Sequence, residues 1–370
     1  MQLLDILFYS FIAVICVQTA FYLGVFSRFA FRKFKSKKPK NIPVSVIICA
    51  KNEAENLQNF LPHILNQDYP DYEVVLINDS SIDHTLEVME QFEAQHNNVK
   101  IVNVKNIEAF WANKKYALTL GIKAAKNSYL LFTDADCKPL SNQWIREMSA
   151  HFSNTKTIII GYSSYKHIKG SFLNILIRFE NLLTATQYFS YAIMGMPYKG
   201  VGRNLAYQTE TFYAARGFMN HIDINSGEDD LFVNEIATDK NTTICSTKNS
   251  FTESLPKTTF KDWILQKRRH ISTANRYKLK DKILLSFFYT SQLLFWVLAI
   301  ILLYFSFNWT IVLILIAFRF ALQYLILGKA SLKLNEKGLL PLLPLLDFFL
   351  INMQLIIFIK NLISKPHHWK

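Results

Sequence analysis

The chain has 370 residues, of which 51% are hydrophobic, 14% are aromatic and only 19% are charged. This much apolar side chain excludes intrinsic disorder, and 11 glycines with 10 prolines exclude a collagen-like or linker-like chain. The four cysteines have no CxxC spacing. Their scatter disfavours a disulfide framework or a zinc ribbon and is typical of a reducing compartment.

The net charge of +13 is concentrated in two blocks, and its distribution favours a membrane protein over a nucleic-acid-binding protein. Residues 27–40 hold seven Lys or Arg and no acid, and residues 255–282 hold nine against two acids. Each block borders a long apolar run, which is the positive-inside pattern of membrane proteins. We therefore expect anionic lipid rather than nucleic acid beside these blocks.

The first apolar run covers residues 6–26, and about 20 residues suffice to span a bilayer. A secretory signal peptide would begin with basic residues, whereas Asp5 precedes this run and the basic block follows it. The sequence therefore predicts an uncleaved transmembrane anchor at 1–26 with its N-terminus outside. A basic juxtamembrane linker is predicted at 27–40.

Residues 41–254 predict an α/β domain with a parallel-rich sheet. Strands that are apolar throughout alternate with helices, which is typical of a parallel sheet covered on both faces. There is no GxGxxG after the first strand and no GxxxxGK[ST] loop, so a Rossmann dehydrogenase and a P-loop NTPase are both disfavoured. The predicted strands are 44–49, 73–78, 99–104 and 128–134, and the predicted helices between them are 53–66, 83–96 and 115–126.

Polar side chains follow these strands at the edge where ligands of such sheets bind. Glu53 follows the first strand, Asp79 ends the second, and Asp134 and Asp136 follow the fourth. Two carboxylates two residues apart can converge on one hard divalent cation. The same two acids would also fit a solvated turn in which an Asp caps a helix. Asp79 either binds the nucleobase or ribose of a nucleotide or forms an Asx turn.

Three later segments have two readings each. The acids of 227–230 either cap the predicted helix that follows or supply a base that deprotonates an alcohol. The segment 266–270 either binds lipid headgroups or clamps a diphosphate, with Lys267 and Arg268 assigned to the membrane. The loop 200–204 either only turns the chain before a short strand at 205–207 or contacts a ligand.

Residues 171–196 are too polar to span and predict an interfacial or core helix. Residues 255–282 form a basic interfacial segment, and residues 283–370 a C-terminal membrane domain. Its runs at 283–307 and 309–327 predict a tight helical hairpin.

The fourth apolar run, 339–359, carries Pro341 and Pro344, and a fourth crossing would leave the basic tail outside, so we favour a re-entrant or interfacial path. Arg319 lies eight residues before the end of the third run, and Asp347 lies eight residues after the start of the fourth. If the two helices are antiparallel neighbours, both charges share one depth, and a buried ion pair is predicted.

In this order, the segments resemble those of family 2 glycosyltransferases with membrane-embedded ends. The segments VSVIICAKNEAENL and QDYPDYEVVLINDSSIDHT resemble the family's nucleotide-binding half, and FTDADC resembles its metal-binding DxD. GEDD resembles the Glu-Asp motif and WILQKRRH the Gln-x-x-Arg-Trp motif, with His270 in place of Trp. NKKYAL resembles the Gly-Lys-Ala segment with Asn113 in place of Gly, and GVGRNLAY resembles the acceptor-side segment of non-polymerising or lipid-directed members.

The resemblance implies a GT-A fold, an inverting single-displacement transfer, a UDP-linked sugar donor and a Mg²⁺ or Mn²⁺ cofactor. It implies that Asp229 is the catalytic base and that Asp136 binds the metal. The donor-side residues that it implies are Glu53, Asp79, Lys114, Asp134, Gln266 and Arg269, and the acceptor-side residues are Arg203, Asn204, Glu228 and His270.

The expected protein is a multi-pass protein of the inner membrane with its catalytic domain in the cytoplasm and a lipid-linked or membrane-associated acceptor. A processive polysaccharide synthase is one alternative, disfavoured by the few apolar runs and the missing Trp. A non-catalytic membrane scaffold is another, disfavoured by the presence of Asp136 and Asp229.

Overall fold

The computed structural model describes residues 3–105, 114–224 and 226–364. The chain divides into two compact units. The α/β unit contains residues 34–167 and 195–257, and the helical unit contains residues 1–33, 168–194 and 258–366. Residues 168–194 thus belong with the apolar helices, in contrast to the continuous domain predicted over 41–254. The basic segment after 257, predicted as separate from that domain, also belongs with the apolar helices.

The elements are numbered in chain order over the described residues. The strands are β1 (Val44–Ala50), β2 (Tyr72–Asp79), β3 (Val99–Val104), β4 (Tyr129–Asp134), β5 (Cys137–Pro139), β6 (Ile158–Ile160), β7 (Ser163–Tyr165), β8 (Leu205–Gln208), β9 (Thr242–Ile244) and β10 (Thr252–Ser254). The helices are α1 (Leu3–Thr19), α2 (Ser27–Phe31), α3 (Ala54–Leu65), α4 (Thr85–Gln95), α5 (Lys114–Ala124), α6 (Trp144–Ser149), α7 (Phe172–Ile193), α8 (Thr209–Ala214), α9 (Asp230–Ile236), α10 (Phe260–Ala274), α11 (Leu279–Tyr304), α12 (Trp309–Lys333) and α13 (Leu343–Ile363).

The main sheet of the α/β unit has the strand order β3-β2-β1-β4-β8-β6-β9. β1 to β4 are mutually parallel, as predicted, whereas β8 runs antiparallel to both β4 and β6. A second, three-stranded sheet has the order β5-β10-β7. Apart from β8, no strand after β4 was predicted, because these strands have only three residues and are too short to show a periodic pattern.

The parallel strands are apolar on both faces because helices cover both faces. Val46 and Ile48 of β1 belong to a buried cluster that also contains Leu57 of α3 and Trp144 of α6. On α5, Gly121 allows close approach to the sheet, since a Cβ there would lie 2.1 Å from Ile77 Cδ1. This packing fixes the positions of the strand ends that carry the candidate site.

Among the residues that the structure describes, the helical unit contains four helices that are long and apolar enough to cross a membrane. The first is continuous from Leu3 to Phe31 because a π-helical segment, Ala20–Phe26, joins α1 to α2. It therefore extends five residues beyond the predicted anchor, into the predicted linker. The other three spans are Leu279–Tyr304, Trp309–Lys333 and Leu340–Ile363. The predicted helix at 171–196 is α7, a largely buried helix of the same unit.

The hairpin predicted between the second and third runs is present. Residues 305–308 connect α11 to α12, and Asn308 has the left-handed φ of +46° that such a tight turn requires. The prolines of the fourth run do not interrupt a helix, because Pro341 lies in a 3₁₀ turn and Pro344 in the first turn of α13. Proline is tolerated there, so the break on which the re-entrant prediction depended is absent.

The ion pair predicted between Arg319 and Asp347 is confirmed, with Nη2 lying 3.0 Å from Oδ2. Arg319 also donates to Gln18 Oε1 and to Gln323 Oε1, each at 2.8 Å. Trp296 Nε1 donates to Asp347 Oδ2 at 3.0 Å. These side chains come from α1, α11, α12 and α13, so one buried polar cluster joins all four apolar helices.

Candidate functional site

The acids predicted at the strand ends lie at one edge of the main sheet. β1 lies between β2 and β4, with Ala50 opposite Asn78 and Cys49 opposite Asp134. Since the three strands are parallel, their carboxyl ends open onto a common crevice. Asp79 is almost fully buried there, and burial raises its pKa despite Lys51 and Lys114 nearby.

Asp134 and Asp136 form a carboxylate pair at the end of β4. Their oxygens and Cys137 Sγ lie within 4.8 Å of one another. Burial, followed by the charge of Asp134, raises the pKa of Asp136, so the pair favours a bound cation. Cys137 is buried with its pKa well above the ordinary value, mainly because of burial, and its thiol donates to Asp136 Oδ1 at 3.2 Å.

These side chains fit a hard divalent cation held by oxygen atoms. Carboxylate oxygens are the ligands that Mg²⁺ and Mn²⁺ prefer, while the thiol of Cys137 stays protonated and supports Asp136. Burial also raises the pKa of Glu53, with smaller contributions from Asp136 and Asp134, so Glu53 belongs to the same cluster of acids.

Lys114 connects the strand-end acids to the segment before α9. Its Nζ lies 2.8 Å from Asp134 Oδ1 and 2.9 Å from Glu228 Oε1. Burial acts to lower the pKa of Lys114, but the two carboxylates together raise it well above the ordinary value. Burial acts to raise the pKa of Glu228, but Lys114 lowers it. Lys114 and Glu228 are therefore a charged pair within the site. Asn113, which precedes Lys114, lies outside the described residues.

Asp229 is the N-cap of α9 and is held by two backbone groups. Its Oδ1 accepts from the N–H of Asp230 and its Oδ2 from the N–H of Gly202, both at 2.7 Å. Burial, followed by the charges of Asp230 and Glu228, raises the pKa of Asp229 to about 7. Lys114, Asp134, Glu228 and Asp229 line one cleft that is open to solvent.

The structure contradicts the predicted acceptor contact of Asn204. Its side chain is fully buried, its Nδ2 donates to the carbonyls of Tyr162 and Ser250, and its Oδ1 accepts from Trp144 Nε1. Asn204 therefore joins β8 to neighbouring elements and leaves no polar atom for an acceptor. Its neighbour Arg203 is only half-buried, and its Cζ lies 4.2 Å from the centre of the Tyr165 ring.

Gln266, Arg269 and His270 lie on α10, in the helical unit, and share one face by helical spacing. Their donor-side and acceptor-side roles remain proposals. Lys267 and Arg268, which the sequence assigns to the membrane, both have protein partners. Lys267 Nζ lies 2.7 Å from Glu180 Oε2. Arg268 donates to Asn361 Oδ1 at 2.8 Å and to backbone carbonyls at the end of α13, those of Lys360 and Ser364.

Sequence reasoning missed Gly202 and Tyr165. Gly202 reads as a turn residue, although its N–H orients Asp229. A Cβ at Gly202 would lie 3.4 Å from Asp229 Oδ2, so glycine leaves room for that carboxylate. Tyr165 lies on a three-residue strand far from any motif, and nothing in the local sequence marks it.

The α/β unit has a GT-A fold, with a cluster of acids at its strand ends. Over 88% of this chain and 99% of the other, the structure is similar to the mannosyltransferase PcManGT from Pyrobaculum calidifontis in complex with GDP-Man and Mn²⁺, with a TM-score of 0.59 and 17% identity. Residues 45–224 match the model of Glycosyl transferase family 2. Just under half of the chain therefore resembles this family, and the described residues include four helices long and apolar enough to cross a membrane.

Curated relatives match over shorter stretches. The chain is 34% identical over 120 residues to the glycosyltransferase AglE of Haloferax volcanii, covering 32% of this chain and 38% of the relative. It is 34% identical over 93 residues to the cholesterol galactosyltransferase of Borreliella burgdorferi, covering 25% of each. It is 28% identical over 126 residues to the UDP-Glc:alpha-D-GlcNAc-diphosphoundecaprenol beta-1,3-glucosyltransferase WfaP of Escherichia coli, covering 33% of this chain and 45% of the relative. The match thus spans less than half the length of each of these relatives.

Proposed function

We propose that this chain transfers a sugar from a UDP-linked donor to a lipid-linked or membrane-associated acceptor, with inversion at the anomeric carbon. The observation that carries the proposal is the arrangement of charges around one cleft. Lys114 joins Asp134 on the metal side to Glu228, the immediate neighbour of Asp229. Asp134 and the candidate base Asp229 therefore line the same cleft.

The donor would bind at the strand ends. Asp79 would contact the nucleoside, and Lys114 would neutralise phosphate oxygens. Asp134 and Glu53 would complete the donor side of the site. Asp136 would hold the divalent cation together with Asp134. A cation bound there would neutralise negative charge that develops on the leaving diphosphate. Arg269 and Gln266 of α10 are proposed for the same diphosphate because a guanidinium matches phosphate geometry.

Asp229 would deprotonate the acceptor hydroxyl. A carboxylate with an ordinary pKa is a weak base, whereas a pKa of about 7 suits proton transfer near neutral pH. The N–H groups of Gly202 and Asp230 hold the carboxylate in one orientation, and each of its oxygens keeps a lone pair for the acceptor. Attack opposite the leaving group would invert the anomeric centre. Glu228 and His270 are proposed for the acceptor side.

The four apolar helices support an acceptor that is in the membrane or on its surface. The names of two relatives include diphosphoundecaprenol and cholesterol as acceptors. The basic block that begins at residue 27 favours a cytoplasmic location for the α/β unit at the inner membrane. There it would meet cytoplasmic nucleotide sugars.

A two-stage experiment tests this function. The full chain, purified in uncharged detergent, would be screened by thermal shift against UDP-linked and GDP-linked sugars with Mn²⁺ or Mg²⁺. The stabilising donor, radiolabelled, would then be incubated with the protein and membrane lipids. We expect stabilisation by a UDP-sugar, loss of that stabilisation in Asp136→Ala, label in the organic phase, and a product of inverted anomeric configuration by NMR. Absence of stabilisation by every nucleotide sugar would reject the function.

A further inference from the structure

The backbone of Arg203 is held rigidly beside the candidate base. The preceding residue, Gly202, binds Asp229 through its N–H. The carbonyl oxygen of Arg203 accepts hydrogen bonds from Thr133 Oγ1 at 3.1 Å and from Thr252 Oγ1 at 3.0 Å. Because these threonines belong to different sheets, the start of the Arg203 side chain has a fixed position next to the cleft.

The guanidinium of Arg203 is oriented but incompletely bonded. It stacks on Tyr165, and its Nη1 is buried without a hydrogen-bond partner among the described residues. Two buried arginines differ, since Arg178 binds Glu336 and a backbone carbonyl, and Arg319 binds Asp347 and two glutamines. A buried donor of a charged group without a partner is costly and is a reason to look for a ligand.

The positive charge of Arg203 favours an anionic ligand. Asp134 and Asp136 interact with the guanidinium electrostatically, but among residues 3–105, 114–224 and 226–364 no carboxylate forms an ion pair with it. The planar fork of a guanidinium matches the oxygens of a phosphate group and binds two of them at once. Phosphate is also the anion that the proposed reaction brings to this edge of the sheet.

We propose that Arg203 binds a phosphate group of a substrate, either the diphosphate of the nucleotide sugar or a phosphate carried by the lipid-linked acceptor. This inference rests on the proposed function and adds a recognition residue to it. It assigns phosphate binding to Arg203, whereas the family resemblance implies only that Arg203 lies on the acceptor side.

The test compares pairs of probes that differ only in phosphate. Binding to the full chain in uncharged detergent micelles is measured for UDP against uridine with Mn²⁺, and for a polyprenyl phosphate against the corresponding polyprenol. Arg203→Lys keeps the charge and removes the fork, and Arg216→Lys makes the same change at an exposed position of the α/β unit. Lysine can replace the charge but not the paired hydrogen bonds.

We expect Arg203→Lys to weaken the binding of one phosphate-bearing probe about tenfold to a hundredfold, as for loss of a charge-assisted hydrogen bond. Its phosphate-free partner, and every probe with Arg216→Lys, should be unchanged. If the affinity for UDP falls, Arg203 binds the donor diphosphate, and if the affinity for polyprenyl phosphate falls, it binds the acceptor phosphate. Tyr165→Ala removes the ring that orients the guanidinium and should weaken the binding of the same probe by a smaller factor.

The ligand-free melting temperature separates binding from a structural role. We expect Arg203→Lys to melt at the wild-type temperature without ligand and to lose most of the shift produced by the phosphate-bearing probe. Wild-type affinities for both phosphate-bearing probes in Arg203→Lys would overturn the inference and leave the proposed function intact. A wild-type protein that binds neither UDP nor any nucleotide sugar nor polyprenyl phosphate would overturn both.

Discussion

At the scale of single residues, Asp229 combines two tasks that use different properties of one carboxylate. As the N-cap of α9 it needs an oxygen that accepts a backbone N–H, which any Asp or Asn supplies. As a base it needs a proton affinity that Asn lacks. The neighbouring acids Asp230 and Glu228 and the burial of the site supply that affinity by raising the pKa of Asp229 to about 7.

We predict that Asp229→Asn abolishes transfer while nucleotide binding stays near normal. Asparagine keeps one oxygen that can accept from the N–H of Asp230, so the helix should persist, although its amide NH₂ cannot accept from Gly202. Asparagine also cannot take a proton from the acceptor. Loss of general base catalysis costs about 10²-fold to 10⁴-fold in rate. Initial rates and UDP titrations with Mn²⁺ would measure both effects, with Asp230→Asn as the matched control. Turnover near the wild-type value in Asp229→Asn would move the base to Asp230.

The pH dependence of transfer follows from the same carboxylate. The raised pKa means that Asp229 is protonated, and inactive as a base, below about pH 7. We therefore expect kcat/KM to rise about tenfold per pH unit on the acid side and to level off above about pH 8. The residual activity of Asp229→Asn should lack this step. A profile that is flat from about pH 5.5 to 8.5 would argue against Asp229 as the titrating base.

At the scale of elements, α10 is attached to the helical unit through basic side chains that the sequence assigns to lipid. Lys267 pairs with Glu180 of α7. Arg268 binds carbonyls at the C-terminal end of α13, where a positive charge also complements the helix dipole. Because these contacts are within the protein, they should stabilise it even where no anionic lipid is present.

We predict that Arg268→Gln lowers the melting temperature of the full chain in an uncharged detergent. The variant loses hydrogen bonds of a charged group at a half-buried position, which we expect to cost about 1–2 kcal/mol of the free energy of unfolding. Lys261→Gln, at an exposed position of the same helix, should have no effect. Equal melting temperatures for Arg268→Gln and wild type in detergent, with a difference only in anionic lipid, would support the headgroup role instead.

At the scale of the whole molecule, the polar cluster around Arg319 decides how the apolar helices assemble. A lone arginine within an apolar span is costly. Here every guanidinium nitrogen has a protein partner, and the Cζ atom also lies 4.4 Å from the centre of the Phe295 ring. Gln323 Nε2 donates to Asp347 Oδ1 at 2.7 Å, so the carboxylate is bound from several helices.

A double-mutant cycle tests whether Arg319 and Asp347 act as a pair. We expect Arg319→Leu and Asp347→Leu each to destabilise the protein by about 3–5 kcal/mol, because each leaves an uncompensated buried charge. The double variant removes both charges and should be less destabilised than the sum of the single variants. Stability measured in detergent would give the coupling energy. Strictly additive losses would show that the pair contributes no coupling.

Topology is the second prediction at this scale. If the basic block lies inside, Lys37→Cys in a cysteine-free background should resist a membrane-impermeant thiol reagent in intact cells and react after lysis. Phe305→Cys, in the exposed turn between α11 and α12, is the matched control and should react in intact cells. Labelling of Lys37→Cys before lysis would place the α/β unit outside and reverse the orientation.

Local patterns in the sequence determined the parallel half of the sheet, the apolar helices and the acids at the strand ends. Buried parallel strands must be apolar at every position, and spans must be long and apolar, so both leave a signal within a single segment. The pairing of Arg319 with Asp347 was also predictable, since each charge interrupts an apolar run and only another charge at the same depth can compensate it.

Only the tertiary structure decided what the remaining polar side chains do. Asn204 reads as a ligand contact but bonds to three protein groups, while Arg268 reads as a lipid contact but binds the end of α13. The joining of Asp134 to Glu228 by Lys114 brings together residues up to 114 positions apart. The partner of a polar group depends on which distant segments pack against it. The sequence of one segment alone therefore does not determine that partner.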